Sequence, residues 1–372
     1  SADPVPGGDA LTEFRVTQPM AILSASAWRG KLRGVLTLNG EGLTLENGEL
    51  APGDWGEGFV DRRHPHTYVH ELMVMLADPL GTLEQGGFAV AMGLGKGFVP
   101  FGTDDPMGRP FLRYPVNHHL AQVLERAVAI GQLRMGTLVL EASLFNGDEP
   151  ERPGQWPRLA GRFGGSWSLR AVTVPLEWLE LQGSRATVAS PEHRPGAAPE
   201  VRKWSVSARG EGALGRRTDG YALVEWARSE ELGGFLELSS WLAEGAISRG
   251  RHRLSLRWER TVRPEEERLL TPFRTLRPHL DDTVLGASRW TVLTAAVSTR
   301  FRPSADPRFG FSPFLEVSTG TVAKEGPGVF DPREFYPKDR FWSLSAGFRL
   351  AWDLGRHRMG RYGLLEDIDH AH

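Results

Sequence analysis

Gly250-Arg251-His252-Arg253-Leu254-Ser255-Leu256-Arg257-Trp258-Glu259-Arg260-Thr261-Val262 is the stretch on which the architecture turns. His252, Leu254, Leu256 and Trp258 fall on one parity; Arg253, Ser255, Arg257 and Glu259 fall on the other. A strand sends successive side chains to opposite faces, so this segment has an apolar face and a charged face.

The same alternation recurs outward from there. Residues 340–352 set Trp342, Leu344, Ala346, Phe348, Leu350 and Trp352 against Ser343, Ser345, Gly347 and Arg349. Residues 200–210 set Trp204, Val206 and Ala208 against Lys203, Ser205, Ser207 and Arg209. In 133–145, Leu138, Leu140, Ala142 and Leu144 oppose Val139, Glu141 and Ser143. The full set predicts strands at 18–28, 31–44, 67–78, 86–97, 119–131, 133–145, 166–174, 177–190, 200–210, 219–229, 233–243, 250–262, 284–301, 311–322 and 340–353. Apolar residues Leu120, Ala121, Val123, Leu124 and Ala127 also fit a short helix, and Gly131-Gln132 reads as a hairpin turn.

Most segments are longer than a soluble strand and match the roughly 9 to 11 residues that a tilted membrane strand needs. Charges and small residues on the second face suit a wet lumen. Trp28, Trp178, Phe235, Trp241, Trp290, Trp342 and Trp352 lie near segment ends, where amphipathic rings favour a membrane interface. The alternative is a soluble sandwich with one face on a dry core. The fold class expected is all-β: a closed antiparallel transmembrane barrel of about sixteen strands, with fourteen as the alternative. Closure follows from solvation, because hydrocarbon offers no partner to the N–H and C=O groups of a free edge.

Short connections at 29–30, 79–85, 132 and 175–176 alternate with long ones at 45–66, 98–118, 146–165, 191–199, 263–283 and 323–339, broken only by the short 230–232. Long loops belong outside the cell and short turns in the periplasm. That parity requires one more strand, either Asp9 to Val16 or a stretch upstream. Residues 1–353 form a single barrel domain, and 354–372 form a mostly polar tail. The opening Ser1-Ala2-Asp3-Pro4 suits an exported chain whose leader has been removed.

Composition narrows the function. Forty-four Lys plus Arg balance 46 Asp plus Glu, leaving a net charge of −2 and no basic stripe for nucleic acid. No cysteine is present, so disulfides and thiolate metal sites are excluded, and 44 glycines exceed the usual share. No apolar run approaches the length of a transmembrane helix. Neither a nucleophile elbow nor His-Glu-x-x-His occurs, so no enzyme is expected.

Histidine placement is the sharpest local feature. His64, His66 and His70 cluster at one long loop, and His118 and His119 at the next. His64, His66, His70 and His118, with Asp61 or Glu71, have the donors for Zn²⁺, Cu²⁺ or Ni²⁺. The competing reading is a loop network of Asp61, Arg62, His64, His66, His118 and His119 that folds over the mouth. Asp104-Asp105 before Pro106 reads as a cation-attracting patch or, preferentially, an Asx turn. Gly93, Gly95 and Gly97 share one face of a strand and leave room for a kink or an inward loop.

The run Asp61-Arg62-Arg63-His64-Pro65-His66 resembles a loop motif, D-R-x-H-P-H, of a family of Gram-negative outer-membrane β-barrel proteins. Similar stretches follow at Pro115–His119, Glu141–Pro150, Ser166–Arg170, Leu181-Gln182, Ser190–Glu192 and Gly360–Gly363. The resemblance covers roughly residues 60–229 and the tail. It implies an outer-membrane barrel, with no assigned substrate. Some similar proteins are associated with heavy-metal handling, but this chain lacks the methionine- and histidine-rich leader of copper-handling relatives.

The function expected is a porin-like channel for small solutes or ions, gated by long extracellular loops. Its lumen candidates are Arg126, Glu141, Glu180, Arg209, Glu225, Arg257, Glu259 and Arg349, whose mixed signs imply weak charge selectivity. Membrane lipid, lipopolysaccharide and small solutes are the partners; no organic cofactor is expected. The alternative is a loop-closed barrel that binds a divalent metal or a partner protein.

Overall fold

The computed structural model describes residues 1–2, 7–10, 12, 14, 16–17, 19–44, 67–82, 88–104, 106–147, 150, 153–157, 159, 163–189, 200–266, 284–302, 308–329, 331–352 and 358–370. Among them are fifteen strands: β1 Met20–Ala27, β2 Leu32–Asn39, β3 Val69–Ala77, β4 Phe88–Gly97, β5 Arg126–Met135, β6 Leu138–Phe145, β7 Ser166–Leu176, β8 Leu179–Ala189, β9 Glu200–Gly215, β10 Thr218–Glu231, β11 Leu236–Arg249, β12 His252–Glu266, β13 Val284–Thr299, β14 Phe309–Gly328 and β15 Arg340–Trp352. Each is hydrogen-bonded antiparallel to the next in one sheet that follows chain order from β1 to β15.

The sheet is inside out relative to a soluble protein. In β12, Ser255, Arg257, Glu259 and Thr261 are at most 2 % exposed, whereas Leu254, Leu256 and Trp258 are 41–52 % exposed. In β15 the same inversion exposes Trp342, Leu344, Phe348, Leu350 and Trp352 while Ser343 is buried. The polar parity therefore faces the enclosed side, and the apolar parity forms the outer surface.

Connection lengths follow the expected parity. Turns at 28–31, 136–137, 177–178, 216–217 and 250–251 lie at one end; the connections 40–68, 98–125, 146–165, 267–283 and 329–339 lie at the other. The short connection 232–235 interrupts the long set, as read from the sequence. Trp28, Trp178 and Trp352 are exposed at the short-turn end, and Phe235 and Trp342 at the opposite end.

Four expectations are revised. The strand placed at 119–131 is Arg126–Met135, and its hairpin turns at Gly136-Thr137 rather than Gly131-Gln132. Residues His118–Ala121 form a short helix instead. Trp290 is not an interface residue: it shares the inward parity of Ser288, Val292 and Thr294, donates from Nε1 to Ser288 Oγ at 2.8 Å and stacks on Phe341. The described residues of Asp9–Val16 belong to no strand. Instead, Ala2 bridges Ser343 of β15, with Leu344 N–H donating to the Ser1 carbonyl at 2.8 Å. The N-terminal residues thus occupy the sheet edge at β15.

Candidate functional site: the sheet interior

Two segments outside the strands fill the enclosed side. The first is the connection 98–125 between β4 and β5. Its partners run around nearly the whole sheet. Gly102 N–H donates to Ser184 Oγ of β8 at 3.0 Å, and Thr103 Oγ1 to Glu225 of β10 at 2.6 Å. Asn117 Nδ2 reaches Glu225 and Ser240 at 2.9 and 3.1 Å, and Val116 N–H donates to Glu259 of β12 at 2.6 Å. Leu112 N–H donates to Glu316 of β14 at 2.9 Å. Strands as distant in order as β8 and β14 meet one segment, so the sheet curls around it.

Glycine makes the entry of this segment geometrically feasible. Gly102 has φ +77°, and a Cβ there would lie 1.9 Å from the Ala121 carbonyl oxygen. No other residue fits that combination of backbone region and close approach.

Inside, charges are paired across strands. Arg257 donates from Nε to Glu244 at 2.6 Å and from Nη1 to the Arg113 carbonyl at 2.8 Å, with its guanidinium 4.0 Å from the Phe111 ring centroid. Arg170 pairs with Glu141, which also accepts from Gln132 at 2.9 Å. Arg126 donates to the Leu124 carbonyl at 2.7 Å. Arg349 remains exposed and reaches the Phe111 carbonyl at 3.2 Å. Arg209 is half-buried and pairs with Asp104. Of the eight residues read as lumen-facing, Arg126, Glu141, Glu180, Glu225, Arg257 and Glu259 are buried on the enclosed side.

Asp104 is where loop, wall and tail meet. It pairs with Arg209 of β9, lies 3.5 Å from Arg109 Nε and accepts from Arg358 Nε at 2.9 Å. Burial acts to raise its pKa, but the guanidiniums of Arg358, Arg209, Arg109 and Arg361 overcome that and hold it well below the carboxylate range. Its side chain serves these pairs. Asp105 lies outside the described residues.

The second segment is 358–370, the stretch read as a polar tail. Its residues Tyr362, Leu364 and Leu365 are buried. Tyr362 donates to Glu71 of β3 at 2.6 Å and accepts from Phe98 N–H at 3.0 Å. A Cβ on Gly97 would sit 2.5 Å from the Tyr362 hydroxyl oxygen. Gly97 therefore leaves room for the C-terminal segment, whereas a Cβ on Gly93 or Gly95 would meet Val74 and Met75 or Leu72 and Met73 of β3. Burial raises the Tyr362 pKa well above its ordinary value, and the adjacent Glu71 carboxylate raises it further.

The histidine sets are not gathered together among the described residues. Asp61, Arg62, His64 and His66 lie outside them, and His119 is described only as backbone of the short helix. His70 is buried at the start of β3, its Nδ1 2.5 Å from Glu125, whose other oxygen accepts from Thr67 at 2.6 Å and lies 3.1 Å from Lys96. His118 packs against Tyr114 at 4.7 Å. Among the described residues no group of three or more His, Asp or Glu side chains is placed to hold a metal ion. Glu71 instead serves Thr37, Tyr362 and Gly360.

Sequence reasoning missed Asp104, Glu244, Arg358 and Arg361 as members of this site. For Glu244 a signal existed, since it shares a parity with Ser240 and alternates with the outward Trp241 and Ile247 on β11. For Asp104 the paired carboxylate was read as a cation-attracting patch without its partners, and Arg358 and Arg361 pair with a carboxylate on a strand far away in sequence.

No family profile and no curated sequence matches the chain. Solved structures with a similar course include OmpT, an outer membrane protein of Vibrio cholerae, at 10% identity and TM-score 0.49 over 90% of each chain. Pseudomonas aeruginosa OccK10 (OpdN) is similar at 12% identity and TM-score 0.42, over 91% of this chain and 92% of that one. A BenF-like porin from Pseudomonas fluorescens Pf-5 gives 9% identity and TM-score 0.38, over 93% and 85%.

Proposed function

We propose that this chain is a channel of the Gram-negative outer membrane for small solutes or ions, with the long connections facing outside. The reading is carried by the inverted sheet: exposed Leu, Val, Phe and Trp outside, paired Arg and Glu inside. Water would strip little from such an outer face, whereas lipid solvates it, and interfacial aromatics at both ends fit the boundaries of an apolar band. Membrane lipid and lipopolysaccharide are the partners of this outer face. Closure of the ring belongs to this reading: a free edge in hydrocarbon would leave N–H and C=O groups without partners, and the bridge from Ala2 to Ser343 at the β15 edge supports it. Segment 98–125 narrows the path from within.

Both signs of charge line the path, so discrimination between small cations and anions is weak. Purified protein reconstituted into planar bilayers tests the reading. Discrete current steps are expected. Folded protein that inserts into lipid without any current under all conditions removes the channel function.

A further inference from the structure

Among the described residues, Glu180 accepts four hydrogen bonds, all from the C-terminal segment. Arg358 donates from Nη1 at 2.8 Å and Nη2 at 3.1 Å; Arg361 donates from Nη1 at 3.1 Å and Nη2 at 2.6 Å. One buried carboxylate thus holds two guanidinium forks, and Arg361 is itself 1 % exposed. Such paired N–H donors match a carboxylate in a way that an ammonium does not.

The segment is held to the sheet by side-chain bonds rather than by strand pairing. Gln132 of β5 clasps it, donating to the Tyr362 carbonyl at 2.8 Å and accepting from Leu364 N–H at 2.9 Å. Arg170 of β7 donates to the Gly360 carbonyl at 2.9 Å. It can leave without breaking a rung of the ladder. Departure strips Glu180 of those four donors and leaves it on the wall beside its register partner Arg209, open to water or to a cation, of which a planar guanidinium best reproduces the lost forks.

We propose that segment 358–365 is a tethered plug seated in a guanidinium site of the pore wall centred on Glu180. A solute or peptide bearing a guanidinium group competes with it for that site and opens the path. The proposal rests on the channel reading for its consequence, but not for the site itself.

The test uses the full chain folded in lipid vesicles and planar bilayers. Chymotrypsin cleavage after the buried Tyr362 reports release of the segment, and conductance reports opening. Intact protein should resist cleavage. Glu180→Gln, or the pair Arg358→Gln and Arg361→Gln should the first fold poorly, should be cut at least tenfold faster and conduct severalfold more. Methylguanidinium should speed cleavage of the intact chain more than methylammonium at equal concentration.

Cleavage of the intact chain as fast as the variants overturns the docked segment. Equal effects of the two cations, or none, overturn the guanidinium site. Equal conductance of intact and variant protein, with cleavage showing release, overturns the plug. An absence of current from every form, with the cleavage pattern as expected, overturns the channel and leaves the site standing.

Discussion

Arg257 and Glu244 face each other on neighbouring strands with both side chains fully buried. Replacing one partner leaves the other charged and desolvated, which costs about 3–5 kcal/mol, whereas replacing both by uncharged groups of similar size costs far less. Arg257→Met is therefore expected to lower unfolding stability by about 3 kcal/mol, and adding Glu244→Gln to recover a substantial part. Urea titration in lipid vesicles, run as a double-mutant cycle, measures the coupling; additive losses would show that the pair is not one unit. Protonation acts at the same scale. Asp104 titrates below its ordinary 3.8 in the folded protein, so its contribution is present in full above that value and is lost as pH falls through the folded one. Tyr362 titrates above its ordinary 10.0, so its contribution is present below that value and is lost as pH rises through the folded one. Protection of residues 358–365 in hydrogen–deuterium exchange, corrected for intrinsic rates, should stay flat between about pH 5 and 9 and fall only outside that window. A loss of protection near pH 6 to 7 would mean that a histidine, not Asp104 or Tyr362, governs docking.

At the scale of the strand, alternation made the architecture readable because period two survives whichever face is wet. What the sequence leaves open is which face lies outside, and β12 supplies a direct trial. Leu256 points outward at 52 % exposure, and Ser255 inward at 2 %. An arginine in lipid near the middle of the band costs about 2–4 kcal/mol. Leu256→Arg should lose stability in that range when unfolded from vesicles, while Leu256→Phe should change it little. A soluble sandwich would put Leu256 on its dry core, where the larger phenylalanine overpacks at a cost of about 1–3 kcal/mol, so a small effect of Leu256→Phe separates the two. β5 shows where legibility ended. Leu120, Ala121, Val123 and Leu124 are as apolar as a strand but pack inside, Leu120 and Ala121 among Ala227, Leu236 and Val262, Val123 in the cluster of Val99 and Phe101, and Leu124 in that of Phe98 and Met359, so their hydrophobicity carried no parity. Trp290 failed for a related reason, since in Trp290–Val297 both parities carry apolar residues and neither declares itself the lipid side.

For the whole molecule, the interior was legible in part. Inward charges on strands could be read from alternation, but segments that cross the lumen could not, because their bonds span great sequence distances: Thr103 to Glu225 is 122 residues and Tyr362 to Glu71 is 291. Local pattern contains no term for such meetings. The same bonds define a prediction about the path. Gly97 and Arg126 are partners at the ends of β4 and β5, so the strands can be joined directly once residues 98–125 are removed. A two-residue Asn-Gly turn closes such a hairpin without altering its register. The remaining ladder is intact, because the excised segment meets the far wall through side chains and single backbone groups rather than through strand pairing. Its loss leaves Glu225, Glu259 and Glu316 without Thr103, Asn117, Val116 and Leu112 as donors, in a lumen now wide enough for water to replace them. The shortened chain should insert and fold, conduct severalfold more per opening and pass larger sugars in vesicle swelling. Charge selectivity should stay weak, because Asp104, Asp105 and Glu125 leave with Arg109 and Arg113. Conductance and size cut-off equal to those of the intact chain, with folding preserved, would mean that solutes do not travel through the space this segment occupies.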